Sequence, residues 1–368
     1  MSDIPLVDLH AQYTAIEDDI QEAISRVLTS QHFIGGPEVP AFEREFAAAQ
    51  STDFAVGCSN GTTAIAIALR ALGVQPEDEV ITPSMTFFAT AEAIVDVGAI
   101  PVLVDIDPET LDIDPMGIED AITPRTVGIV PVHLYGNPAD MDEVMRVADR
   151  NDLWVMEDAA QAHLASYRGA MTGTIGVCGT FSFYPGKNLG AYGDAGAIVT
   201  SDESLAKLMQ KIRDHGRAGK YEHDIYASNE RMDDLQAAVL RAKLTHLEEW
   251  TAARRAAAAR YDQMLSDMAV QPLKPTPGAD PVWHLYPVLI DDRDRVLDEM
   301  RLAGIGVGIH YPIPVHLQPA HVERFGEKSL PISEDVASRL LSLPLYPEIT
   351  SRAQEKVVEA LQNAISAD

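Results

Sequence analysis

Apolar residues recur along this chain with two different periods. In AQYTAIEDDIQEAISRVLTS (11–30), Ile16, Ile20, Ile24, Val27 and Leu28 fall on one face of an amphipathic helix. FIGGPEV breaks that pattern, and VPAFEREFAAA resumes it. Beyond it, short apolar runs alternate with helical stretches. EVITP (79–83), PVLVDI (101–106), VGIVPVHL (127–134), LWVMED (153–158), TFSFY (180–184) and AGAIVT (195–200) read as strands. Between them lie helical intervals such as TAIAIALRAL and PADMDEVMRVADR. Such a rhythm predicts an α/β fold with a largely parallel sheet and helices on both faces.

The period changes after Asn229. A long helical stretch runs through DDLQAAVLRAKLTHLEEWTAARRAAAARYDQML, and the Pro-rich QPLKPTPGADP ends it. HLYPVLI, DRDRVLDEMRLAGI and a helix-rich tail follow. Two units are expected: a large one over residues 1–245, including the N-terminal helical segment, and a smaller C-terminal α+β unit over 246–368.

Composition narrows the class of partner. The 368 residues carry a net charge of −28, from 56 acidic against 28 basic side chains. An acidic surface repels nucleic acid and anionic membranes, so neither is an expected partner. No apolar run is long enough to span a bilayer, and MSDIPLVDLHAQY lacks the basic and apolar regions of a signal peptide. The two cysteines, Cys58 and Cys178, form no disulfide framework, so a reducing cytoplasm is the expected location. No metal is expected. An anionic ligand would need a local cationic pocket to overcome the global field.

Candidate chemistry sits in four loops that follow the strands, where open α/β sheets gather ligands. SNGTTA opens a helix whose free N–H groups suit a phosphate, although an ordinary helix cap explains it equally well. PSMTFFAT offers a flat aromatic. EDAAQAH puts at least one of Glu157 and Asp158 at the ligand edge of a strand, and a helix cap by Asp158 is the plain alternative. FSFYPGKNLG holds Lys187, the first lysine of the chain. The Walker spacing fails there, because Asn188 stands where Ser or Thr is required, and GAYGDAG does not match a dinucleotide fingerprint. A lysine among aromatic and small residues can be neutral and nucleophilic, as imine chemistry requires. Together the four loops make one device: a phosphate-holding helix start, a stacking aromatic, a carboxylate for a pyridine nitrogen and a lysine for an aldehyde, as pyridoxal phosphate needs.

With SNGT, PSMTF, DIDPETLDIDP, PVHLYGNPADM, EDAAQAH, FSFYPGKNLGAYGDAGA, NERMDDLQAA and GVGIHYPIPVHLQPA, nearly the whole chain resembles the DegT/DnrJ/EryC1/StrS sugar aminotransferases. The resemblance implies a pyridoxal-phosphate enzyme of fold type I, with a mostly parallel seven-stranded sheet in its large domain. It implies that Lys187 joins the cofactor's aldehyde, Asp158 faces the pyridine nitrogen and Gln161 the phenolic oxygen. Phe87 and Ala160 would cover the two ring faces. Gly61, Thr62 and Ser182 would hold the phosphate, with Asn229 reaching it from the neighbouring subunit of a homodimer. Arg231, His310 and Tyr311 would face the sugar or its diphosphate and supply the cationic pocket; His163, Arg217 and His316 are further candidates, with packing or capping as the alternative.

The same resemblance implies L-glutamate as amino donor and a keto nucleotide-sugar as acceptor, with pyridoxamine phosphate between the two half-reactions. A 3-keto sugar on dTDP or UDP is favoured over a 4-keto one, and the product would be an amino sugar for a glycan or natural product. A non-catalytic regulatory protein on the same fold is the competing reading; it predicts loss of the lysine or its carboxylate, and both are present. One departure stands out: QAHLAS has Leu164 where the family usually has glycine, which is expected to narrow or shift the loop beside the cofactor.

Overall fold

The structure, a computed structural model, describes residues 3–366. Its main sheet has seven strands: β1 (Phe54–Cys58), β2 (Glu79–Pro83), β3 (Ile100–Val104), β4 (Thr126–Ile129), β5 (Trp154–Asp158), β6 (Cys178–Ser182) and β7 (Gly196–Thr200). Their order is β1-β7-β6-β5-β4-β2-β3. All pairings are parallel except the two made by β7, which runs against both β1 and β6. The strand β1 was absent from the sequence expectation; FAVGC leads straight into a glycine turn, which hides its apolar run. TFSFY also begins two residues earlier than expected.

Burial on both faces explains the lack of alternation. Every residue of β2 and β7 is buried. The helix Gly61–Ala71 carries the nearly all-apolar run AIAIAL because it lies inside the molecule, packed on β6, β7 and the helix Ala89–Asp96. By contrast Met141–Asn151 is amphipathic, with Met141, Val144, Val147 and Ala148 buried and Asp140 capping its start. The first helical pattern divides at Ile16 into Leu9–Ala15 and Glu17–Ser30. Ile16, Ile20 and Val27 are buried as expected, but Leu28 is 55% exposed on the outer side.

The long helical stretch after Asn229 is two helices, Asp234–Leu244 and Leu247–Leu265. After them come a three-stranded sheet of β8 (Gln271–Pro272), β9 (Tyr286–Leu289) and β10 (Leu340–Leu343), and the helices Arg293–Leu302, Pro319–Phe325, Pro331–Arg339 and Ser351–Ser366. The N-terminal segment joins this part rather than the main sheet: Ile4 N–H donates to Gly304 O (3.2 Å) and Gly306 N–H to Ile4 O (2.7 Å). Ile4 and Met85 share a core with Leu285, Tyr286, Leu341 and Leu343. No helix among the described residues is long and apolar enough to cross a membrane.

Close approach at one glycine fixes the sheet's centre. Gly128 of β4 lies beside Trp154 of β5, and a Cβ there would meet the indole at 2.2–2.3 Å. Gly128→Ala is therefore expected to cost about 1–3 kcal/mol through overpacking. Urea unfolding should show a lower midpoint at unchanged slope; a wild-type midpoint would contradict this packing.

Candidate active site

At the carboxyl ends of the central strands, the loops enclose a cavity of ≈ 820 Å³. Gly61, Thr62, Phe87, Asp158, Ala160, Gln161, Ser182, Lys187, His310 and Tyr311 all line it. Ten positions from five separate segments of sequence thus share one space.

One end is built to hold an anion. Asn60 caps the helix Gly61–Ala71 by a reciprocal box: its Oδ1 accepts from Thr63 N–H (2.9 Å), while Thr63 Oγ1 accepts from Asn60 N–H (3.2 Å). The N–H groups of Gly61 and Thr62 are left facing the cavity end, where the helix dipole adds its positive pole. A side chain at Gly61 would put its Cβ 2.7 Å from Ser182 Cβ, so only glycine lets the helix start and the end of β6 meet. His163 supports that meeting from below. Its Nε2–H donates to Ser182 O (2.9 Å), and its Nδ1 is buried without a partner. Burial, then the charge of Lys187, pulls the imidazole down to about 3, so it stays neutral.

The other end holds the paired acid and amine. Strand alternation sends the adjacent carboxylates Glu157 and Asp158 to opposite sides. Glu157 accepts N–H bonds from Gly173, Ile175 and Gly176 and pairs with His133 Nε2 (2.9 Å), out of reach of the cavity. Asp158 faces the cavity, with Thr90 Oγ1 donating to Oδ2 (2.8 Å) and Ala160 N–H to Oδ1 (3.1 Å). Burial raises the Asp158 pKa; Thr90, Ala160, Lys187 and His133 oppose the rise, in that order. A cation laid against this carboxylate would keep it charged. Lys187 is half-buried and takes part in no ion pair among the described residues. Desolvation pulls its ammonium down to about 8, with Asp158 alone pulling the other way.

Over the cavity mouth, Phe87 is 56% exposed and packs on Tyr311 with ring centroids 5.5 Å apart. Gln161 is oriented from both sides: its Oε1 accepts from Tyr135 N–H (2.7 Å), and its Nε2 donates to Tyr311 Oη (3.3 Å). That leaves one amide hydrogen of Gln161 for a ligand. Tyr135 Oη also donates to His310 O, and His310 Nδ1 meets Ser342 Oγ (2.9 Å). Burial lowers His310 to about 4, so it is uncharged at neutral pH.

Other expected residues lie elsewhere. Arg231 is paired with Asp214 and does not line the cavity; Asn229 is exposed, and Arg217 lies 3.5 Å from Asp214. With His310 neutral and Lys187 the one lysine or arginine in the wall among the described residues, these do not by themselves form the expected cationic pocket. His316 is fully buried away from the cavity, between Ser84 and Glu334. Leu164 does not narrow the cavity. Its backbone is left-handed (φ 64°), which accounts for the usual glycine, and its side chain packs into the core around Phe46, Phe181 and Phe183. Sequence reasoning missed Thr90 and His284. Thr90 had a faint signal, its four-residue spacing from Thr86 in PSMTFFAT, and the two hydroxyls do meet (3.0 Å). His284 had none, since it enters the wall from a distant loop and bonds Asn188 (3.2 Å).

A lysine of weakened basicity and a buried carboxylate facing one cavity, at the carboxyl edge of this seven-stranded sheet, place the protein among the fold type I transferases. Residues 14–362 match the DegT/DnrJ/EryC1/StrS aminotransferase family, and the chain belongs to it. It is 45% identical over 361 residues to a dTDP-3-amino-3,4,6-trideoxy-alpha-D-glucose transaminase of Streptomyces venezuelae, covering 98% of this chain and 95% of that one. A UDP-N-acetyl-3-dehydro-alpha-D-glucosamine 3-aminotransferase of Acidithiobacillus ferrooxidans is 41% identical, with 98% of each chain covered. Among solved structures, S. venezuelae DesV in complex with a ketimine intermediate superposes with a TM-score of 0.97 at 43% identity over 100% of both chains. The NtdA protein of Bacillus subtilis, with bound cofactor PMP, gives 0.91 at 34% identity over 100% of this chain and 86% of its own.

The lowered basicity of Lys187 is open to direct measurement. In cofactor-free protein, acylation of Lys187 by an amine reagent, followed by peptide mass spectrometry, should rise with pH through a midpoint near 8. Asp158→Asn should move that midpoint lower still, because the carboxylate favours the ammonium. A midpoint at the ordinary lysine value of about 10.4 would contradict the desolvated setting.

Proposed function

We propose that this protein is a pyridoxal-phosphate-dependent aminotransferase that moves the amino group of L-glutamate to the C3 ketone of a dTDP- or UDP-linked sugar. The observation that carries it is the placement of Lys187 and Asp158 on one cavity whose far end offers unpaired helix N–H groups. These residues fit the cofactor by their chemistry: a weakly basic amine for an aldehyde, a buried acid that a cationic ring nitrogen would keep charged, and a glycine-lined anion cradle. When bound, pyridoxal phosphate supplies an electron sink for the carbon beside the transferred amine.

The protein's own groups do the rest. Gly61 and Thr62 N–H and the Ser182 hydroxyl hold the phosphate, and Asp158, kept in place by Thr90, holds the ring nitrogen's proton. Phe87 and Ala160 confine the ring between two apolar faces. Gln161, fixed by Tyr135 N–H, turns its free amide hydrogen to the phenolic oxygen. Lys187 acts as base and then acid for the migrating proton, a role its pKa of about 8 suits at neutral pH. His310 and Tyr311 face the sugar.

Exposed surface supports a homodimer. Asn229 stands outside its own cavity, and Arg217 and Arg231 lie against Asp214. Tyr221, Ile225 and Tyr226 are exposed on the same stretch, apolar surface that suits burial against a second copy. Buried, unpaired Cys58 and Cys178 favour the cytoplasm.

The purified protein is expected to be yellow when loaded with pyridoxal phosphate and to bleach on addition of glutamate. Lys187→Ala should cost roughly 10⁴-fold in turnover while the fold survives. Paired 3-keto and 4-keto nucleotide sugars then decide the acceptor, and preference for the 4-keto sugar would overturn the C3 assignment. A protein that neither takes up the cofactor nor transfers an amine would favour a regulatory role.

A further inference from the structure

Ser84, His316 and Glu334 form a hydrogen-bonded row between the two parts of the molecule. Ser84 Oγ lies 2.5 Å from His316 Nδ1, and His316 Nε2 lies 3.3 Å from Glu334 Oε1. Glu334 Oε1 also accepts from Leu330 N–H (2.9 Å) and Ser329 Oγ (3.1 Å). A carboxylate can only accept, so His316 Nε2 carries a hydrogen, and in the neutral ring the Nδ1 lone pair then accepts from the Ser84 hydroxyl. The order serine, histidine, acid has the composition of a hydrolytic triad. Ser84 and His316 are fully buried, however, and neither lines the cavity, so no substrate reaches that hydroxyl.

Position gives the row another use. Ser84 follows β2 and stands three residues before Phe87, while His316 stands five residues after Tyr311. Val315 N–H donates to Ser84 O (2.9 Å), a second bond between the same two segments. Further along, Thr86 Oγ1 meets Thr90 Oγ1, which donates to Asp158. The loop carrying Phe87 is therefore pinned on one side through His316 and on the other through Asp158. Phe87 itself is more than half exposed, so burial does little to hold it.

We propose that His316 is a positioning residue for the aromatic wall of the cavity, setting Phe87 against Tyr311 through its bond to Ser84. Its effect on turnover rests on the aminotransferase reading; the state of its imidazole does not. Three variants separate the contacts. His316→Asn keeps an amide near the Nδ1 position and hence a partner for Ser84. His316→Gln keeps one near Nε2 and hence the bond to Glu334. Ser84→Ala leaves the imidazole intact and removes the hydroxyl.

Nitrogen NMR of the full-length protein, with histidines labelled, should show His316 protonated at Nε2, with an Nδ1 resonance that shifts in Ser84→Ala. In pyridoxal-phosphate-loaded protein, circular dichroism of the cofactor band should change at least about twofold in His316→Gln and Ser84→Ala, with amino transfer falling about tenfold from misplacement of the wall. His316→Asn should restore both signals, even where its melting temperature falls as far as that of His316→Gln. Wild-type dichroism and rate in Ser84→Ala would overturn the proposal, as would equal behaviour of the Asn and Gln variants or an Nδ1 resonance indifferent to Ser84. A wild-type protein with the expected imidazole and dichroism but no amino transfer would instead overturn the function and leave the positioning role standing.

Discussion

The site depends on keeping an amine and a carboxylate near each other without letting them close into an ion pair. In contact, Lys187 and Asp158 would satisfy each other and the cavity between them would fill. Here Asp158 takes its hydrogen bonds from Thr90 and Ala160, and Lys187 is anchored through its backbone to Tyr184 O. Desolvation then disfavours both charges, weakening the amine's basicity and the acid's strength together. A ring with a cationic nitrogen at one end and an aldehyde at the other relieves both costs at once. Under the proposed function the same two groups would both hold the cofactor and tune it.

Much of the surrounding scaffold serves that separation. Glu157, next to Asp158 in sequence, collects three backbone N–H groups and His133 on the far side of β5. It ties the turn before β6 to the strand that carries Asp158. Gly61 and Gly128 let neighbouring elements approach to distances a side chain would forbid. Around the mouth, Tyr135 holds both Gln161 and His310 through its own N–H and hydroxyl.

The sequence made the loops legible, because they carry rare residues in fixed local order: the first lysine, the Glu-Asp pair, the glycine turn. Most of the sheet was legible too, since buried parallel strands form dense apolar runs. FAVGC was lost because it runs straight into a glycine turn, and LLSL because it follows a helix with no turn residue between. Long-range partners were the true limit. Nothing local in HLYPVLI says that His284 reaches Asn188, and nothing in VHLQPA says that His316 finds Ser84, 232 residues away. Arg231 read as a local cation, yet its charge is spent on Asp214 within its own chain.

The attachment of Ile4 to Gly304 and Gly306 bears on the order of assembly. Leu6 and Val7, just behind it, form part of the cavity wall, yet the backbone that receives Ile4 is made some three hundred residues later. During synthesis on a ribosome Ile4 has no partner here until residues 304–306 have emerged. The central sheet can be complete before then, but its ligand chamber stays open on that side until residues 304–306 are in place.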